Sequence, residues 1–282
     1  MNFIDWFFWN KGRTPDGLFS LPHLLSVTII LLGLIGLALF LGHKYKNNEK
    51  AINIILKVSA FIMIGLYIAE VVDGFLGLYY TLGLTPATEE GKYMYTKQII
   101  VGMPFFLCDI AIYAIPIIAF TKGKIRAILS DFLGIWGIPM GVIGTYLAGN
   151  VFGLAPAFSF DGLLCIFIHV VPAAVTVFLY YTRIATIDRK NMYSALILFF
   201  CFSAFVLIYN YIFNAKYDAN FMFFFRGDGT PFDLFRPYVP LPVYQLIVFT
   251  LYMSYMALFY VVFMAIKKKI NERNNMKLEQ TA

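Results

Sequence analysis

Two groups of reactive side chains stand inside apolar stretches of this chain. The first is Cys108–Asp109, within IIVGMPFFLCDIAIYAIPIIAF (99–120), with Pro104 and Pro116 on either side. The second is Asp161, Cys165 and His169, spaced by four and followed by Pro172. A thiol becomes a nucleophile when a base or positive neighbour favours its thiolate. A thiol alone in apolar surroundings stays inert, so His169 makes the difference. Two thiol–imidazole pairs are open: Cys108–His169 between helices, and Cys165–His169 within one. Asp109 or Glu70 would orient the imidazole or relay its proton. Asn210 or Asn214 would donate to an oxyanion, as amide side chains do in acyl transfer.

The elements that must hold these residues are membrane helices. Of 282 residues, 60% are hydrophobic and only 13% charged, and the mean hydropathy is +0.74. That composition predicts an all-α, polytopic membrane helix bundle. The net charge of +6 does not point to nucleic acid, because the basic residues flank hydrophobic runs. Three cysteines inside apolar runs are not a disulfide framework. No zinc spacing, phosphate-binding glycine loop or nucleotide fingerprint is present, so neither metal nor cofactor is expected. The N-terminus lacks the basic start and cleavage site of a signal peptide and is expected to stay attached.

Residues 1–20 read as an interfacial segment, with Trp6, Phe7, Phe8 and Trp9 suited to the headgroup level. Seven crossings follow, at about 21–42, 52–77, 99–120, 126–148, 161–182, 194–214 and 243–266. Residues 215–242 form the longest loop, a lid or re-entrant segment over a pocket, and 267–282 a basic tail. Alternate loops carry 15 and 7 Lys and Arg residues, Lys11 among the seven. That bias puts the N-terminus outside and the C-terminus in the cytoplasm, in a multi-pass protein of the cell membrane.

Depth then gathers the polar residues. Cys108 lies roughly 14 Å and His169 roughly 12 Å from one membrane face, at 1.5 Å per helical residue. Glu70 and Asp73, and likewise Asn210 and Asn214, share helix faces near the same end. Nothing comparable is expected in the other half. One wet pocket opening outward is the reading, although each residue also has a bland role in packing or interfacial pairing. Gly137, Gly141, Gly144 and Ala148 form a small-residue face that suits close helix packing. His23 and His43, at helix ends, are expected at the interface.

Several short segments resemble a known family. MPFFLCDIAIYAIPIIAF, IFIHVVP around His169, FNAKYDANFMFFF and PYVPLPVYQL resemble segments of the YwaF-like bacterial membrane proteins. These are related to the eukaryotic transmembrane protein 164 group, which is similar to cysteine- and histidine-dependent phospholipid acyltransferases. The resemblance implies an acyl-enzyme route from a phospholipid to a lysophospholipid. It implies His169 as base, with Asn214 and Asn220 in the pocket. In the eukaryotic group the cysteine follows the proline directly, where this chain has Phe105. Many bacterial relatives have a histidine at the position of Phe106. Cys108 is then the available nucleophile, with Asp109 beside it, and Glu70, Asp73, Asn210, Asn214 and Asn220 as substrate-binding residues. The alternative is a transporter or small-molecule binder using Glu70, Asp73 and His169.

Overall fold

The computed structural model describes residues 3–10 and 13–281; Met1, Asn2, Lys11, Gly12 and Ala282 lie outside the described residues, as do the side chains of Arg273 and Lys277 counted in the charge bias. The described residues form helices and loops without strands. In chain order they are α1 (Phe3–Phe7), α2 (Leu21–Tyr45), α3 (Glu49–Tyr80), α4 (Glu89–Val101) and α5 (Ile110–Phe120). They continue with α6 (Gly123–Tyr146), α7 (Gly149–Phe152), α8 (Phe160–Tyr181), α9 (Arg189–Tyr217) and α10 (Leu241–Thr281). Six of these, α2, α3, α6, α8, α9 and α10, are long and apolar enough to cross a membrane.

The third expected crossing is not one continuous helix. It is split into α4 and the short apolar α5 by non-helical backbone over 102–109. Pro104 lacks an N–H and disfavours the helical conformation at Met103 before it. Gly102 adds backbone freedom at the same place. The carbonyls left over are taken up by neighbours: Tyr67 OH donates to Gly102 O (3.3 Å) and Tyr209 OH to Ile100 O (3.1 Å). Pro116, Pro139 and Pro172 sit inside α5, α6 and α8 without ending them. Gly137 and Pro139 repeat the Gly102–Pro104 spacing inside an unbroken α6, so these residues permit the break and the tyrosine partners around the freed carbonyls sustain it.

Helices α6 and α8 form the centre, and α2, α3, α9 and α10 surround them. The outer helices turn large apolar residues such as Ile29, Phe61, Ile197 and Leu246 outward, each about two-thirds exposed (65–66%). That inside-out pattern suits lipid rather than water. The centre depends on the small-residue face of α6. A Cβ at Gly137 would lie 1.9 Å from Thr176 Oγ1, at Gly141 2.5 Å from Ala173 Cβ, and at Gly144 2.0 Å from His169 Cδ2. These contacts run in opposite order on α6 and α8, so the two helices are antiparallel and in intimate register.

Two expectations about polar residues need correction. The half of the bundle remote from Asp161 does hold a buried ionisable residue, Asp131, which is 1% exposed. Its Oδ1 accepts from Thr186 N (2.7 Å) and Ile187 N (2.9 Å), and its Oδ2 from Asp188 N and Asn191 Nδ2 (both 3.0 Å). One carboxylate so closes the turn between α8 and α9 and satisfies the start of α9, whose cap residue Asp188 makes no side-chain capping bond. His23 is fully buried rather than interfacial. Phe19 N–H donates to its Nδ1 (3.1 Å), so Nε2 carries the proton and donates to Thr145 O (3.0 Å).

Asp131→Ala strands buried N–H donors and should cost about 3 kcal/mol or more of stability. A thermal melt of the purified protein in detergent checks this; an unchanged midpoint would mean the turn is held by other contacts.

Candidate functional site

The α4–α5 break, α3, α6, α8, α10 and the loop before α10 enclose one cavity of about 670 Å³. Cys108, Asp109, Glu70, Asp73, Cys165 and His169 all line it. The break is what presents Cys108 and Asp109. Phe106 N–H donates to Asp109 Oδ2 (2.9 Å), and the Cys108 thiol donates to Asp109 Oδ1 (3.6 Å). Asp109 stands at the cap position of α5 but makes no side-chain bond to that helix; it reaches back to the irregular segment instead.

The thiol in contact with His169 belongs to Cys165, with Sγ 3.8 Å from Nδ1. The same Nδ1 lies 2.7 Å from Cys165 O. A carbonyl oxygen can only accept, so Nδ1 carries the proton and Nε2 holds the free lone pair. The basic nitrogen is thus the one turned away from Cys165. It lies against Gly144, in the space a side chain there would fill. Cys108 does not hydrogen-bond to His169; its bond is to Asp109.

Charge along the lining is one-sided. Glu70, Asp73, Asp109 and Asp161 face the cavity, and no Lys or Arg does so among the described residues. Asp73 and Asp161 come within hydrogen-bonding reach of each other, tying α3 to α8. The N-terminal segment packs at this end: Asn10 Nδ2 donates to Asp161 Oδ2 (3.1 Å), Arg13 to Phe158 O (2.8 Å), and Asp16 accepts from Ala157 N (2.7 Å). No group of three or more His, Cys, Asp or Glu is arranged to hold a metal ion among the described residues.

The three asparagines are placed elsewhere. Asn210 exchanges two bonds with the Phe221 backbone (2.8 and 2.9 Å), and Asn214 Nδ2 donates to Ala219 O (2.9 Å). Asn220 donates to Arg226 O and Asp228 Oδ2 and accepts from Phe225 N. All three serve the loop rather than the cavity wall, because their amides complete the backbone bonding of a segment without regular structure. That loop does reach the cavity, through Phe223, Thr230, Pro231 and Phe232. Arg226 is held by Asp218 and Asp228 within the same loop. Phe105 packs among Phe202, Phe205, Tyr209 and Phe221, while Phe106 lines the cavity.

Residues not singled out from the sequence also line the cavity, notably Tyr67, Trp136, Tyr252 and Tyr255. A tryptophan and tyrosines in apolar crossings resemble ordinary packing residues, and only their helix faces reveal otherwise.

Gly144→Ala should push the His169 ring from its place, whereas Gly33, with open space at its Cβ position, should tolerate alanine. The His169 imidazole 15N resonances should move in the first variant and stay in the second. Unmoved resonances in Gly144→Ala would show that the ring is not seated on Gly144.

Neither the curated proteins nor the solved structures gave a match. A family model described as the TMEM164 family matches residues 18–263. That span takes in α2 to α9, the first part of α10 and the residues that line the cavity, and the chain belongs to the TMEM164 family.

Proposed function

We propose that this multi-pass membrane protein is a thiol-dependent acyltransferase acting on phospholipid acyl chains. The observation that carries the reading is the convergence of Cys108, Asp109 and His169 on one cavity among membrane helices. The resemblance to cysteine- and histidine-dependent acyltransferases agrees with it. In the proposed reaction the Cys108 thiol gives its proton to His169 Nε2, and the thiolate attacks an ester carbonyl of the donor lipid. The ester C–O bond breaks, and the imidazolium returns the proton to the departing glycerol oxygen. A thioester and a lysophospholipid result. The hydroxyl of an acceptor lysophospholipid then gives its proton to Nε2 and attacks the thioester, and the thiolate takes the proton back. Asp109, which accepts from the thiol, holds the sulfur in place between turnovers.

Cys165 is nearer the imidazole, but it faces the nitrogen that already carries a proton. That tautomer favours Cys108 as the nucleophile. The acidic lining favours donor and acceptor lipids whose headgroups carry a positive charge over purely anionic ones. The charge bias of the loops would open the Asp161 end to the outer leaflet of the cell membrane.

A carrier or binder is the second reading, because Glu70, Asp73 and His169 line the same cavity and would suit a cationic solute. It differs in one respect: a carrier does not need Cys108.

Intact-protein mass spectrometry after incubation with mixed phospholipids should reveal a fatty-acyl adduct that hydroxylamine removes. The adduct should be absent from Cys108→Ser and retained by Cys165→Ser. Turnover should fall by about three orders of magnitude in Cys108→Ser and in His169→Ala. A Cys108→Ala protein that still binds and moves a solute would decide for the carrier. Replacing phosphatidylcholine with phosphatidylglycerol as donor should lower turnover by about tenfold. Equal rates would mean the carboxyls do not face the headgroup.

A further inference from the structure

The remote end of the cavity holds hydrogen-bonding groups that the proposed chemistry does not use. Trp136 lines the cavity and is 3% exposed, yet its Nε1–H has no partner among the described residues. Tyr255 lines the same wall from α10, and its buried hydroxyl is also unpartnered. The two rings stack, with centroids 4.8 Å apart at 26°. Tyr252 stands beside them, 6.5 Å from Trp136, and spends its hydroxyl on a long bond to Met222 O (3.3 Å). The surrounding wall is apolar, formed by Met140, Leu251 and neighbours. A buried N–H left unpaired costs roughly as much as a lost hydrogen bond, so a ligand that supplies an acceptor there is favoured.

Register places this group. Gly144 touches the His169 ring, and Trp136 lies eight residues earlier on α6, about 12 Å along the helix. Gly137, next to Trp136, meets Thr176, seven residues beyond His169 on α8 and away from Asp161. The order down the cavity is therefore the Asp73–Asp161 end, then His169, then Trp136 with Tyr255. An acyl chain whose carboxyl carbon reacts near His169 would bring its middle carbons to the indole.

We infer that Trp136 and Tyr255 form a subsite for an oxygen atom carried in the middle of a ligand's acyl chain, so that the cavity prefers mid-chain hydroxylated lipids to plain ones. This rests on the reading of the cavity as a lipid acyl site and adds the class of chain it favours. The indole N–H donates to the chain oxygen, and the tyrosine hydroxyl donates or accepts as the chain hydroxyl requires. An unsubstituted chain fills the same space but leaves both groups unpaired.

The test compares three lysophospholipids with octadecanoyl chains: plain, hydroxylated at mid-chain, and hydroxylated at the terminal carbon. Binding to the full-length protein in nanodiscs is measured by competition. The mid-chain hydroxyl should tighten binding by roughly three- to tenfold over both others, the worth of one to two neutral hydrogen bonds. That ratio should fall to about one in Trp136→Phe and shrink in Tyr255→Phe. Both variants keep an aromatic ring, and near-ultraviolet circular dichroism confirms that each is folded. Equal binding of the three lipids, or a preference that survives Trp136→Phe in the folded protein, would overturn the subsite and leave the acyl site standing. Failure of all three to bind would overturn both.

Discussion

Backbone at membrane depth must find hydrogen-bond partners inside the protein, and non-helical backbone is tolerated there only against protein or a cavity. The segment 102–109 is the place where this chain meets that constraint. Gly102 and Pro104 end α4, and the freed groups are recovered by Tyr67, Tyr209 and the Asp109 carboxylate. A continuous helix would have laid Cys108 and Asp109 along a helix face like any other residues. The break instead turns both toward the cavity and sets the thiol against the carboxylate.

The α6–α8 pair is the other half of the arrangement. Three glycines on α6 let α8 approach until side chains of one helix touch the backbone of the other. That closeness seats the His169 ring on Gly144, and Cys165 O, one turn earlier on α8, holds Nδ1–H. Two effects of ordinary packing so determine which imidazole nitrogen is basic. Asp131 anchors the opposite end of the same pair, satisfying the α8–α9 turn through four N–H groups. Its role is architectural, and it does not line the cavity.

The loop between α9 and α10 shows how polar residues near a site can serve it without facing it. Asn210, Asn214 and Asn220 spend their amides on loop backbone, and Arg226 is held between two aspartates. The loop so held carries Phe223, Thr230, Pro231 and Phe232 to the cavity. Any asparagine substitution would therefore act on the cavity through the loop's shape.

Composition and apolar run length alone determined the helical membrane architecture, because a bilayer admits few other spanning structures. Helix spacing also put Glu70, Asp73 and His169 near one level, since rise per residue converts sequence number into depth, whereas Cys108 and Asp109 lie in the non-helical segment, where that conversion does not hold. Spacing along one helix says nothing about which face a neighbouring helix covers. Only the tertiary structure could show that Cys165 rather than Cys108 touches the imidazole, that the asparagines turn away, and that Trp136 and Tyr255 face the cavity. The break at Gly102–Pro104 was hidden for a similar reason: Pro116, Pro139 and Pro172 are tolerated inside helices, and whether a proline ends one depends on the partners its surroundings offer to the freed backbone.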